Sequence, residues 1–69
     1  MQQQNAVLVY HNGDHWIAEY DGVYGHFEDE RDATRAGRGM ARSQLADLIV
    51  RNAFGQITLH EPYTPKKSK

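Results

Sequence analysis

The residues that come closest to a metal-binding motif are two histidines that bracket a predicted turn, in the run His11-Asn12-Gly13-Asp14-His15. A zinc site needs at least three ligands that converge on the ion with defined geometry. If Asn12-Gly13 forms a two-residue turn, His11 and His15 point to opposite faces of the hairpin. A three-residue turn would pair them across the strands but would still lack a third ligand. We therefore predict neither a metal site nor a bound cofactor.

The chain lacks the residue patterns that usually carry nucleophilic catalysis or bind phosphate. Cysteine is absent, and Ser43 and Ser68 have no neighbouring base in a recognisable motif. Gly37-Arg38-Gly39 is a fragment of a nucleotide-binding fingerprint, but it falls inside a predicted helix, whereas a phosphate loop follows a strand and opens a helix. The consecutive acids at residues 28–30 are typical of the first turn of a helix. We predict a non-enzymatic protein with no small-molecule substrate.

Four arginines form the sharpest charged pattern in the chain. They are spaced by four, three and four residues, which on a helix aligns their guanidinium groups in one stripe. With the C-terminal lysines they would give phosphate contacts and a salt-sensitive affinity. Nucleic-acid binding is therefore the alternative function, and its residues would be Arg31, Arg35, Arg38, Arg42, Arg51, Lys66, Lys67 and Lys69.

Charge is divided unevenly along the chain. Residues 1–30 hold six acids and no lysine or arginine, whereas residues 31–69 hold eight lysines and arginines against three acids. The net charge is −1, whereas a nucleic-acid-binding domain usually carries a net positive charge. A helix with acids in its first turn and bases further along is also favoured by the macrodipole. We therefore favour a solvated helix face as the explanation of the arginine stripe.

Two turn signals organise the N-terminal half of the chain. Asn12-Gly13 and Asp21-Gly22 each separate short runs of β-branched and aromatic residues. Both pairs tolerate the positive φ angles of a type I′ turn, which is the common two-residue hairpin turn. With such loops, Val9 lies opposite Trp16, and Trp16 lies opposite Phe27. The predicted strands are residues 7–11, 14–20 and 23–27.

Strand alternation divides these side chains between two faces of the sheet. The predicted core face carries Val7, Val9, Trp16, Ala18, Tyr20, Val23 and Phe27. The other face is too apolar and aromatic for a surface that meets only water. Its rings could stack on bases, or the terminal hairpin or tail could cover it. We favour a homodimer or another protein partner, bound through Leu8, Tyr10, His15, Ile17, Tyr24 and His26.

A helix is predicted from Asp29 or Glu30 to Gln44, with Asp29 as its N-cap. Its packed face is made of small residues, and a glycine on that face, Gly37, would let the helix lie close to the sheet. Gly39 falls on the other side of the helix. The packed face consists of Ala33, Ala36, Gly37, Met40, Ala41 and Gln44.

A second hairpin is predicted at residues 48–51 and 56–60, around the turn residues 52–55. A three-residue loop with Gly55 as a bulge would group Ile49, Arg51, Ile57 and Leu59 on one face. A four-residue loop is preferred because it buries four aliphatic residues without a charge. That loop groups Leu48, Val50, Ile57 and Leu59.

Together these elements predict an α+β domain of order β-β-β-α-β-β, an antiparallel sheet with one helix packed on one face. Residues 1–5 are predicted to be a disordered N-terminus, residues 6–63 the domain, and residues 64–69 a basic flexible tail. No apolar run approaches the roughly 18 residues that a membrane helix needs. We therefore expect no membrane partner and a cytoplasmic location.

Three segments of the chain, namely the Trp16 strand, the helix and the second hairpin, are similar in their residues and their order to the pattern of a known family. In that pattern, a short β-run with a central Trp precedes a helix of the form Ala-x-x-Ala-Ala-Arg-x-Leu-Ala. A hairpin follows, with an acid-Leu-Val-Val run, a turn Gly, an Ile and a Tyr. The matching residues are Trp16; Ala33, Ala36, Gly37, Arg38, Met40 and Ala41; Asp47, Leu48, Ile49 and Val50; and Gly55, Ile57 and Tyr63.

This arrangement resembles a family of small bacterial proteins known as domain of unknown function twenty-one eighty-eight, over about half of the chain. The matching positions are mostly packing positions, so the resemblance implies a shared fold and no catalytic or binding residues. Members of that family typically carry basic residues beside the turn glycine, where this chain has Phe54 and Gln56. The difference argues against a polyanion-binding role for this hairpin.

Overall fold

The computed structural model describes residues 5–65, which form one helix and a five-stranded sheet. The helix packs on one face of the sheet, against β1, β2, β3 and β4. The predicted α+β class and the order of elements are confirmed. Within residues 5–65, no helix is long and apolar enough to cross a membrane. The elements are β1 (Ala6–His11), β2 (Trp16–Tyr20), β3 (Val23–Phe27), α1 (Glu30–Gln44), β4 (Asp47–Arg51) and β5 (Ile57–Glu61).

The strands lie in the order β3-β2-β1-β4-β5, so β1 is the centre of the sheet. Three of the neighbouring pairs are antiparallel, but β1 and β4 are parallel. The sheet is therefore mixed, and the prediction of a wholly antiparallel sheet is wrong at this pair. The reason is the connection: β3 runs in the same direction as β1, and α1 then returns the chain to the end at which β1 began.

The turn between β2 and β3 is the predicted two-residue turn. Asp21 and Gly22 have φ angles of 52° and 82°, as a type I′ turn requires. The turn sets Tyr20 opposite Val23, and the predicted pairing of Trp16 with Phe27 follows. Its register is confirmed.

The turn between β1 and β2 is longer than predicted. The Asn12 side-chain carbonyl accepts hydrogen bonds from the backbone N–H groups of Asp14 and His15, both at 2.9 Å. This closes a loop over residues 12–15, so Val9 pairs with Ala18 and not with Trp16. Because the register differs by two residues, each side chain keeps its predicted face.

The helix begins as its sequence indicates, and its predicted packed face is confirmed except at Gln44, which is exposed. The Asp29 carboxylate accepts the Asp32 backbone N–H at 2.9 Å, which confirms Asp29 as the N-cap. A Cβ atom at Gly37 would lie 2.8 Å from Val9 Cγ2 and 3.2 Å from Leu48 Cδ1. The missing side chain therefore lets α1 lie directly on β1 and β4. The buried cluster between helix and sheet is Val7, Val9, Ala18, Ala33, Ala41, Ala46, Leu48 and Val50.

The predicted core face needs one correction at the end of the sheet. Trp16, Tyr20 and Phe27 pack against the buried cluster, as expected. Val23, however, is 66 % exposed. It follows directly on the turn and lies on the outermost strand, so the sheet has no further strand to shield it.

The second hairpin combines features of both predicted registers. Val50 pairs with Leu59 on the helix side, but a one-residue bulge then places Ile57 opposite Arg51. The preferred register is therefore wrong for Ile57, which is 57 % exposed. The Asn52 side-chain oxygen accepts the backbone N–H groups of the residues at positions 54 and 56. The Asn52 backbone N–H also donates to the Gln56 carbonyl at 2.8 Å, and Gly55 has a φ angle of 86°. The turn is therefore the alternative three-residue loop with Gly55 as the bulge and not the preferred four-residue loop.

The ends of the described chain lie together beside the first residues of β4. The Asn5 side-chain NH₂ group donates to the Leu45 backbone carbonyl at 3.0 Å. The Asn5 side-chain oxygen accepts a hydrogen bond from the Tyr20 hydroxyl at 2.8 Å. The Thr64 backbone N–H donates to the Asp47 carboxylate at 3.1 Å. Of the predicted disordered segment and basic tail, residues 1–4 and 66–69 lie outside the described residues.

Two glycine substitutions test the close packing of the helix. Gly37→Ala would force a methyl group against Val9 and Leu48, so we expect a loss of about 1–3 kcal/mol in the free energy of unfolding. Gly39→Ala meets no atom within 4 Å, so we expect a gain of about 0.5–1 kcal/mol from helix propensity. Urea denaturation followed by Trp16 fluorescence measures both. Equal effects of the two substitutions would contradict the close approach.

Candidate interaction surface

The face of the sheet opposite α1, here called the outer face, carries two rows of side chains that run across the strands. The register pairs Tyr24 with Glu19, Glu19 with Leu8, Leu8 with Ile49, and Ile49 with His60, which makes one row across all five strands. Within residues 5–65 the only helix packs on the opposite face. The second row contains His26, Ile17, Tyr10, Arg51 and Ile57.

The β4–β5 loop borders a groove on this face. The groove has a volume of ≈ 580 Å³. Phe54, at the tip of the loop, is 87 % exposed, which is unusual for a residue of this size and hydrophobicity. The groove is lined by Leu8, Tyr10, His11, Glu19, Arg51 and residues 52–55.

A polar pair lies among these apolar side chains. The Tyr10 hydroxyl donates to the Glu19 carboxylate at 2.8 Å. This hydrogen bond, together with burial, raises the pKa of Tyr10. A raised pKa makes the phenol a weaker acid, so the Tyr10 hydroxyl keeps its proton and the hydrogen bond to Glu19 near neutral pH.

The structure brings most of the predicted interface residues together. Leu8, Tyr10, Tyr24 and His26 share the outer face, and Tyr24 is 56 % exposed. Ile17 needs a correction because it is only 3 % exposed. It lies between its cross-strand partners Tyr10 and His26, so it supports the surface from beneath and has little area left for a partner. The predicted residue His15 lies in the β1–β2 loop, with its ring 6.0 Å from the His26 ring.

Sequence analysis missed four residues of this face. Ile49, Phe54 and Ile57 were predicted only as parts of the second hairpin and Arg51 also as a nucleic-acid contact, because the position of that hairpin in the sheet was not predicted. The alternation of hydrophobic residues in β4 was the available signal, because buried Leu48 and Val50 must alternate with outward-facing neighbours. The parallel pairing of β1 with β4 is what adds these residues to the face.

The histidines do not assemble a metal centre in the part of the chain that the structure describes. No group of three or more His, Cys, Asp or Glu residues there could hold an ion. His11 packs edge-on against Trp16, with ring centroids 5.1 Å apart. His60 Nε2 lies 2.9 Å from an Asp47 carboxylate oxygen, and that hydrogen bond, with one from Thr64, lowers the pKa of Asp47.

Among residues 5–65, the arginines predicted for nucleic-acid binding do not form one surface. Arg38 donates two hydrogen bonds to Glu61, at 2.8 and 3.0 Å, and so ties α1 to the end of β5. Arg51 lies on the outer face, on the other side of the sheet from α1. Arg31, Arg35 and Arg42 are exposed on the helix. The tail residues Lys66, Lys67 and Lys69 lie outside the described residues.

Comparison of the chain with protein-family models, with curated proteins and with solved structures gives no match. The resemblance to domain of unknown function twenty-one eighty-eight therefore stays a prediction. The function has to be inferred from the chemistry of the surface itself.

Acid is expected to weaken the fold partly through Glu61. Hydrogen bonds from Arg38 and Tyr63 lower the pKa of Glu61, so its stabilisation is present above the pKa of an unfolded glutamate, about 4.3, and is lost as the pH falls further. We expect the urea midpoint to fall less between about pH 5 and pH 3 in Glu61→Gln than in the wild type.

Glu28→Gln is the matched control, since Glu28 is an exposed glutamate outside this ion pair. It is expected to follow the wild-type pH dependence. An unchanged acid response in Glu61→Gln would show that the Arg38–Glu61 pair does not contribute to folding.

Proposed function

We propose that this protein is a non-enzymatic interaction module that self-associates, with the outer face of one copy packed against the outer face of a second. The observation that carries this proposal is the set of large, exposed apolar side chains on that face, namely Tyr24, Phe54 and Ile57. Large apolar side chains exposed on one face of a sheet typically mark a protein–protein contact. The predicted cytoplasmic location belongs to the same proposal.

The small size of the core favours a second copy as the occupant. Among residues 5–65, the buried hydrophobic residues are four alanines, three valines, one leucine and one isoleucine, with no aromatic residue. A chain of 69 residues is close to the size at which a single core becomes marginal. Burial of the outer face in a dimer would add apolar contact to a domain that has little of it, and would couple folding to association.

Charge on the outer face is compatible with this pairing. Glu19 lies on one side of β1 and Arg51 on the other. A two-fold axis along β1 would turn the Arg51 side of one copy over the Glu19 side of the other. Two sheets packed in this way form a sandwich with aligned strands, and the helices of both copies remain outside.

The test is the molar mass in solution as a function of protein concentration. We expect the wild type to exceed the 7.9 kDa of one chain at micromolar concentrations. The double substitution Phe54→Ser with Ile57→Ser removes exposed apolar area without touching the core, so we expect the dissociation constant to rise at least about tenfold. Sedimentation equilibrium measures both.

Leu45→Ser is the matched control, because Leu45 is 54 % exposed but lies at the end of α1, away from the outer face. It is expected to leave the mass unchanged. A wild type that stays monomeric at all concentrations would contradict the proposal. If that monomer instead binds an oligonucleotide, with an affinity that falls with salt and on Arg31→Ala with Arg35→Ala, the alternative function takes its place.

A further inference from the structure

The two edges of the sheet differ in their protection against pairing with another chain. An open edge presents unpaired N–H and C=O groups, and proteins usually block it with a bulge, a proline or charged side chains. At the β5 edge there is a bulge within the strand, Glu61 ends it, and Pro62 follows it. β3 has the sequence Val-Tyr-Gly-His-Phe and carries none of these devices within the strand.

The β2–β3 turn determines which groups point away from the sheet. A two-residue turn closes on a hydrogen-bonded pair, here Tyr20 and Val23. Hydrogen-bonded and non-hydrogen-bonded pairs then alternate along an antiparallel ladder. The N–H and C=O groups of Tyr24 and His26 therefore point to the open edge, and no described strand lies there.

We propose that β3 pairs antiparallel with β3 of a second copy, so that one continuous sheet runs through both chains. The register that keeps the whole strand overlapped is centred on Gly25. Tyr24 of each copy then exchanges backbone hydrogen bonds with His26 of the other. This contact lies at the edge of the sheet and does not require the outer-face contact proposed above.

The side chains suit this register. Val23, which is 66 % exposed, would lie opposite Phe27 of the second copy, so an apolar contact would form on the helix side. On the outer face, Tyr24 would lie opposite His26. Gly25 would meet Gly25 in a non-hydrogen-bonded pair, where the two backbones come closest, at about 4.5 Å between Cα atoms. A residue without a side chain suits that position.

Charge predicts how the contact responds to salt. Asp21 precedes β3 and the acids at residues 28–30 follow it, so two copies joined at this edge bring like charges near each other. Added salt screens that repulsion. The edge contact is therefore expected to strengthen between about 50 and 500 mM NaCl, whereas binding to a nucleic acid weakens over the same range.

His26→Pro tests the edge contact. Proline removes the N–H that points outward and leaves the β2–β3 ladder intact, which edge strands tolerate. His26→Ala is the control, because it removes the same ring but keeps the N–H. Since both symmetry-related donors are lost in His26→Pro, we expect the dissociation constant of the edge contact to rise at least about tenfold. His26→Ala is expected to have a much smaller effect.

Mass measurements separate this inference from the proposed function. If both contacts form, each copy carries two separate two-fold contacts whose axes do not meet. The wild type then assembles beyond a dimer with a mass that rises with concentration, and either His26→Pro or Phe54→Ser with Ile57→Ser limits it to a dimer. A wild-type dimer that His26→Pro dissociates and the outer-face variant does not would support the edge contact alone. A wild type whose mass does not respond to His26→Pro overturns the edge contact, whatever the outer face does.

Amide hydrogen exchange gives a second readout that a loss of folding would not mimic. We expect the amides of Tyr24 and His26 to exchange more slowly as the wild-type concentration rises. In His26→Pro, whose fold is checked by far-ultraviolet circular dichroism, the Tyr24 amide is expected to exchange fast at all concentrations. Fast exchange of both amides in the concentrated wild type would refute the pairing.

Discussion

A five-stranded sheet has two faces, and the described part of this chain has one helix to cover them. The helix lies very close to its face because Gly37 brings its backbone against Val9 and Leu48. Small residues on the helix and branched residues on the strands fill that interface tightly. Because this single helix covers one face, the other face has no covering element among the described residues. The two faces of the sheet therefore differ in how much apolar surface they leave exposed.

The open face and the open edge have the same origin. The chain returns through α1 to the starting end of β1, so β4 is inserted beside the central strand and β3 is left at the outside. β4 and β5 thus extend the outer face, while nothing described extends the sheet beyond β3. The proposed contact through the outer face would cover its apolar side chains. The inferred contact through the β3 edge would pair its backbone N–H and C=O groups.

Several local features of the fold could be predicted from the sequence, although the length of the turn at Asn12-Gly13 could not. The Asp21-Gly22 turn, the Asp29 cap and the close approach at Gly37 each depend on residues within a few positions or on one missing side chain. The features that depend on distant contacts could not. The parallel pairing of β4 with β1 added Arg51 and Phe54 to the candidate surface, and the Arg38–Glu61 ion pair removed an arginine from the predicted stripe. No local pattern encodes either contact.

The account rests on the outer face as the surface that meets a second copy, and methyl resonances observed by NMR during dilution test it most directly. The methyl groups of Leu8, Ile49 and Ile57 report on the outer face, and those of Val7 and Val9 on the packed face. The account predicts that dilution shifts the first set and leaves the second unchanged. Outer-face methyl resonances that do not move over a concentration range in which the molar mass changes would contradict it.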